Sequence, residues 1–162
     1  MASSSSPPNH VIREALTDPE ILSCYPVIKE LRPHITSPTE LLTRVKLQQQ
    51  NDRFHLMYIA DTTPDSPDTP ITVSILGYRI NNKLFYGKEL YVDDLCTYSL
   101  GAKKKGYGGA LLDWAIAKGK EEKCDVVTLD SGYTRSDAHR LYLNKKFTMK
   151  CHHFCYEITT QK

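Results

Sequence analysis

The chain is 162 residues long, 40% hydrophobic and 25% charged, with 21 Lys and Arg against 19 Asp and Glu for a net charge of +2. A domain of that size buries enough surface to hold a core without disulfides or metal. No apolar run approaches the ~18 residues of a membrane-spanning helix, the near-neutral charge excludes a basic nucleic-acid arm, and the odd, scattered cysteines (Cys24, Cys96, Cys124, Cys151, Cys155) suit reduced thiols rather than a secreted disulfide framework.

Residues 1–9 (MASSSSPPN) have no apolar side chain to bury and no secretory pattern, which predicts a disordered tail on a cytoplasmic chain, with one domain over 10–162. Alternation over 10–16 predicts a first strand. Thr17-Asp18-Pro19-Glu20 is a helix start, a capping side chain followed by proline and acid. Ile21, Leu22, Tyr25, Ile28 and Leu31 follow at helical spacing, with a kink expected at Pro26. Ser37-Pro38-Thr39-Glu40 fits a capping box and opens a second helix to about Gln50, with Leu41, Leu42 and Val45 on its apolar face. Strands are then predicted over 54–60 and 71–80, separated by a proline- and aspartate-rich loop at 61–70. A turn at Asn81-Asn82 leads to a longer strand over 85–97. A helix carrying Ala110, Leu111, Leu112, Trp114, Ala115 and Ile116 ends near Lys123, and Val126 to Leu129 is a short buried strand. A compact helix over 136–145 precedes a closing strand or hairpin over 147–158. The order implies an α/β fold, a largely antiparallel sheet flanked by helices.

All nine prolines lie at or before Pro70 and all eight glycines at or after Gly77. Proline punctuates helices, whereas glycine lets a backbone turn tightly or approach a ligand, so the chemistry is expected in the second part. There, the stretch 103–112 (KKKGYGGALL) follows a strand and opens a helix. Glycines free backbone N–H groups to converge, and the helix N-terminus adds positive charge, which suits a pyrophosphate. The stretch lacks the Gly-Lys-Ser/Thr of a nucleotide phosphate loop and the first glycine of a dinucleotide fingerprint. Taken alone, it also reads as a glycine-rich loop beside a solvated basic run.

The spacing Lys103-x-x-Gly106-x-Gly108 resembles the coenzyme A signature (Arg/Gln-x-x-Gly-x-Gly/Ala) of the GNAT acetyltransferase superfamily. Residues 91–97 (YVDDLCT) look like that family's fourth strand, and 138–147 (AHRLYLNKKF) resemble its late helix, with Lys103 and Lys146 standing where Arg/Gln and Gly are usual. More narrowly, residues 30–34 (ELRPH), 130–132 (DSG) with Arg135, and 152–154 (HHF) resemble a small, mostly bacterial branch similar to aminoalkylphosphonate acetyltransferases. The resemblance covers about residues 10–160. It implies the GNAT fold and acetyl-CoA as donor, with direct attack of a primary amine on the thioester in a ternary complex.

Within that resemblance, the amine needs a proton acceptor, the thioester carbonyl needs N–H donors, and the leaving thiolate needs an acid. Tyr142 matches the helix tyrosine that would serve as acid; without the match it reads as a core tyrosine. Asp93 and Asp94 are adjacent on a strand, so one faces the cleft. Asp94 is taken as the catalytic or water-holding carboxylate and Asp93 as a substrate or structural group, with Glu89 and His139 in reserve. Cys96, Thr97 and Tyr98 would contact the acetyl and pantetheine groups. Lys103, Lys104, Lys105, Gly106, Tyr107, Gly108 and Gly109 would hold the pyrophosphate, with Asn144 on the coenzyme side. Arg32, Asp130, Arg135 and His153 are candidate substrate ligands, although either arginine could equally form a surface ion pair. Cys151, His153 and Cys155 share a strand face, but zinc ligands come from turns with a fourth partner, and strand packing is the reading taken, with no metal. The expected partner is a small-molecule amine, with no nucleic acid or membrane, and the chain is expected as monomer or homodimer. A protein amine acceptor, or an acyl-CoA sensor without turnover, are the alternatives.

Overall fold

In the computed structural model, which describes residues 11–63, 66–100 and 105–158, the helix starts form as their capping side chains dictate. The predicted tail and two predicted pyrophosphate ligands, Lys103 and Lys104, lie outside the described residues. The Glu20 carboxylate accepts the backbone N–H groups of Leu16 and Thr17 at 3.1 and 2.9 Å, and Ser37 Oγ accepts the Glu40 N–H at 3.1 Å. The expected kink at Pro26 is a full break two residues earlier, at Cys24. Helix α1 (Asp18–Ser23) ends at Cys24 and α2 (Tyr25–Leu31) restarts beyond it, because Pro26 brings no N–H to continue the first helix and is tolerated in the first turn of a new one. Helix α3 is Pro38–Asn51.

The chain divides into two compact units, the first ending at Leu129 and the second beginning at Asp130. The first holds a five-stranded sheet in the order β1-β2-β3-β4-β5, formed by β1 (Ile12–Glu14), β2 (His55–Thr63), β3 (Ser66–Lys83), β4 (Gly87–Thr97) and β5 (Val126–Leu129). The first four are antiparallel neighbours, and β5 joins β4 in parallel through α4 (Tyr107–Glu121). Side chains alternate across the pleat. Phe54, Leu56 and Tyr58 pack with Ile21, Val27, Leu41 and Val45 of α1–α3, while Met57 and Ile59 pack with Leu111 and Ala115 of α4.

Two loops are shorter than predicted. The expected loop at 61–70 is largely strand. Asp61 pairs with Ile71 and Thr63 with Ser66, so 67–70 stand opposite a single residue, and prolines at such a bulge need no ladder partner. The turn predicted at Asn81-Asn82 falls instead at 84–86, since both asparagines are in register with Glu89 and Lys88. Gly87 has φ 73°, the left-handed position that closes a three-residue hairpin loop.

The second unit contains α5 (Ser136–Asn144). Residues 147–158, expected to close as a strand or hairpin, have no regular structure, and Met149, Phe154, Tyr156 and Ile158 are at least 83% exposed. Aromatic and β-branched residues favour a strand only where a neighbour completes the ladder, and among the described residues this unit has none. No helix of the described residues is long and apolar enough to cross a membrane, and all five cysteines are free.

Candidate active site

Strand β4 outruns its neighbour. Strand β5 pairs with it only over Glu89–Val92, while β4 continues to Thr97 against β3. The register with β3 also slips there, Gly77 facing Asp94 and Tyr78 facing Val92. Asp93 is therefore the extra residue of a bulge, a device that breaks alternation and re-aims side chains beside functional sites.

Arginines hold both acids of the predicted pair. Arg32, at the C-terminal end of α2, places Nε and Nη2 at 2.8 and 2.7 Å from Asp94 Oδ1, and its Nη2 also donates to the Asp93 carbonyl at 3.2 Å. Arg79 Nε donates to Asp93 Oδ2 at 2.9 Å and its Nη2 to Gln48 Oε1 at 3.2 Å. Burial pushes the Asp93 carboxyl above its ordinary value, against the pull of Arg79. Arg32, predicted as a substrate ligand, thus orients Asp94 and ties α2 to the bulge.

Asp94 borders a cavity of about 250 Å³ between the helices and the sheet. Its lining comes from α2 (Ile28, Arg32), the following loop (His34, Ile35), α3 (Leu41, Arg44, Val45, Gln48), and the sheet side (Phe54, Leu56, Ile75, Asp94). Gly77 is needed beneath it: a Cβ there would lie 2.7 Å from the Phe54 ring. These apolar lining residues read from sequence as ordinary core, and no local signal distinguished them.

Of the predicted thioester contacts, two main-chain groups are already used by β3. The Cys96 carbonyl accepts Ser74 Oγ at 2.9 Å, and the Tyr98 N–H donates to the Val73 carbonyl at 2.8 Å. Main-chain groups alternate sides along a strand, so Thr97 and Leu95 turn their N–H groups to the edge that β5 leaves. Leu95 was not among the predicted contacts, because the edge its N–H faces follows from pairing direction, not from residue type. The reserve acid Glu89 is 1% exposed, ion-paired to Lys83 at 2.6 Å and accepting Thr128 Oγ1 at 2.6 Å. It does not line the cavity.

Gly106 is the N-cap of α4 with φ 85°, and nothing lies within 4 Å of where its Cβ would be. Gly108 and Gly109 follow in the first helical turn and Lys105 is exposed beside them. That open, N–H-rich helix start fits a pyrophosphate. Tyr107 offers only main chain, since its ring is 2% exposed and its hydroxyl donates to Asp61 Oδ2. Burial, then Asp61, pushes that phenol up to about 12.

In the second unit, Tyr142 is half-buried with its ring centroid 6.2 Å from that of Phe147. Phe147 N–H donates to the Tyr142 carbonyl at 3.0 Å and Lys146 N–H to Leu143 at 2.9 Å. These are the paired bonds of a Schellman cap, and Lys146 takes the left-handed position at φ 65°. The turn that glycine usually makes is therefore made by lysine. Asn144 is exposed at the end of α5, Arg135 is exposed just before it, and His139 is half-buried. Asp130 Oδ2 and His153 Nδ1, separately predicted as substrate ligands, meet at 3.1 Å.

No protein-family model matches the chain. It is 28% identical over 144 residues, 88% of this chain and 95% of the relative, to the uncharacterized N-acetyltransferase YhdJ of Bacillus subtilis (strain 168). Among solved structures it superimposes on a transcriptional regulator from Bacillus halodurans C-125 with a TM-score of 0.77 at 20% identity, covering 93% of this chain and 100% of that one. A GNAT family acetyltransferase of Staphylococcus aureus gives 0.71 at 16% identity, covering 92% and 98%. AAC(6')-Iy in complex with the bisubstrate analog CoA-S-monomethyl-acetylneamine gives 0.73 at 11%, covering 94% and 99%.

Proposed function

We propose that this chain, a GNAT-fold N-acetyltransferase, moves the acetyl group of acetyl-CoA to a small primary amine, with residues 10–162 as one cytoplasmic enzyme domain. The observation that carries the reading is β4: bulged at Asp93 and running beyond β5, it leaves main-chain donors at an edge that ends in the glycine-rich start of α4. Acetyl-CoA supplies the acetyl thioester when bound. Lys105 and the N–H groups of Gly106, Gly108 and Gly109 would hold its pyrophosphate, with Lys103 and Lys104 adding charge and Asn144 on the coenzyme side.

The catalytic roles are assigned by chemistry. Asp94 takes the proton of the incoming ammonium, directly or through a water, so that the nitrogen lone pair can form the new C–N bond. Arg32 holds that carboxylate in place through its Nε and Nη2. The N–H groups of Leu95 and Thr97 receive the charge that develops on the carbonyl oxygen. Tyr142 donates its proton to the thiolate as the C–S bond breaks. Asp130, Arg135 and His153 of the second unit are proposed as polar ligands of the acceptor by their chemistry alone, and Asp93, whose carboxylate Arg79 already holds, as a structural group of the bulge.

Thermal unfolding with and without acetyl-CoA, with ATP and magnesium as control, tests the reading. At about 100 times its dissociation constant a ligand adds roughly 2.7 kcal/mol, a rise of several degrees at this size. A shift with acetyl-CoA alone, followed by amine-dependent thiol release that falls on Tyr142→Phe while the shift persists, is the expected result. A shift without thiol release from any amine supports the sensor, and no shift refutes both.

A further inference from the structure

The cavity between α2, α3 and the sheet carries a charge pattern that selects among amines. Seven of its twelve lining side chains are aliphatic or aromatic. The rest include two guanidiniums, Arg32 and Arg44, the imidazole of His34 and a single carboxylate, Asp94. Asp94 is engaged by Arg32 at 2.7 Å, and Arg44 is held at 2.8 Å by Glu40, which is not part of the lining. An amine directed to Asp94 therefore has hydrocarbon, the His34 imidazole and Arg44 around the rest of the molecule. Among the described residues that line the cavity a second ammonium meets no second carboxylate, and like charges in a partly dry site repel more strongly than in water.

We propose that the acceptor is a monoamine with an apolar body that fills this cavity, and that diamines, polyamines and other polycations are rejected. The inference rests on the acetyl-transfer reading of this site and adds which amines the site takes. Size agrees with it. An engineered cavity of ~150 Å³ holds benzene, or ~25 Å³ per carbon, so 250 Å³ accommodates about ten non-hydrogen atoms on that scale. That is a small aliphatic or aryl-alkyl amine. Neutral or anionic far ends are compatible with Arg44, and cationic ones are opposed by it.

Three acceptors of one chain length isolate the effect: hexylamine, 6-aminohexanoate and 1,6-diaminohexane. They share the reacting amine and differ only at the far end. With the full chain and saturating acetyl-CoA, kcat/KM by thiol release should favour each of the first two over the diamine by at least about ten-fold, although the diamine has two amines to react. Arg44→Glu, on the exposed side of α3, should shrink that ratio several-fold by supplying the missing carboxylate. A diamine equal to or better than hexylamine overturns the inference and leaves acetyl transfer standing. So does an Arg44→Glu ratio unchanged from the parent chain, and so does stabilisation by acetyl-CoA without turnover of hexylamine or 6-aminohexanoate. No stabilisation by acetyl-CoA together with no thiol release from any of the three overturns acetyl transfer itself.

Discussion

A methyl group added at Gly77 would lie 2.7 Å from both Cε2 and Cζ of Phe54 and 3.4 Å from Asp94 Oδ2, whereas relaxed carbon contacts need about 3.5–4.0 Å. The Phe54 ring must retreat by roughly 1 Å to restore such a contact. It is only 5% exposed, and the open space beside it is the cavity it lines. Overpacking of this kind costs about 1–3 kcal/mol. Replacing glycine where the backbone is compatible returns about 0.4–1 kcal/mol through the unfolded chain, and Gly77 has no left-handed φ. The net loss expected for Gly77→Ala is about 1–2 kcal/mol, a fall in Tm of about 2–8 °C at this length. Urea unfolding should show a lower midpoint at unchanged slope. The acceptor KM should rise several-fold as the ring enters the cavity, with the acetyl-CoA KM unchanged. Phe54→Leu removes the clashing atoms, so the double variant should be more stable than the sum of the two losses predicts, by about 1 kcal/mol. Additive losses, or a Gly77→Ala variant as stable as its parent, would refute the argument that the ring and the glycine are mutually fitted.

The remaining predictions address the coenzyme loop and the bulge. Gly106→Ala meets no steric obstacle, so its cost is the left-handed backbone alone, about 1–2 kcal/mol. Acetyl-CoA binding measured by calorimetry should weaken by about ten-fold because the methyl stands at the N–H-rich helix start; equal affinity would remove that loop from the coenzyme site. For Asp93, the folded carboxyl lies above its unfolded value because burial outweighs Arg79. A group raised in this way contributes stability below the unfolded value, and that contribution is lost as pH rises through the folded one. Asp93→Asn should therefore gain stability relative to its parent from about pH 4 upward, read as the difference in urea midpoints. A parent chain that gains on the variant over that range would show that the Arg79 ion pair dominates.

Much of the fold was legible because its signals are local. Thr17 and Ser37 each sit three residues before a glutamate, and those two helix starts form in place. The runs predicted as strands at 54–60, 71–80 and 85–97 pair in chain order, and Tyr142 through Phe147 forms its cap although Lys146 replaces glycine. The hairpin turn was misread because Asn81 and Asn82 have turn propensity in isolation but sit in a ladder that Gly87 closes five residues after Asn82. The region over 61–70 was misread for the converse reason: Pro67 and Pro70 fall in a bulge, where a strand tolerates them.

The candidate site divides along the same line. Residue type and spacing drew attention to the glycine-rich helix start, whereas the acid pair at 93–94 and the tyrosine of α5 were singled out through the resemblance to GNAT acetyltransferases, whose motifs depend on neighbours within a few positions. The tertiary structure decided which acid lines a cavity, because a bulge set by pairing with Gly77 breaks the alternation on which the sequence argument relied. It also gave Arg32 its role, by bringing together residues 62 apart in the chain. Seven of the twelve side chains that wall the cavity are Ile, Leu, Val and Phe, whose chemistry is that of any core, and only the distance between helices and sheet turns such a surface into a place for a ligand.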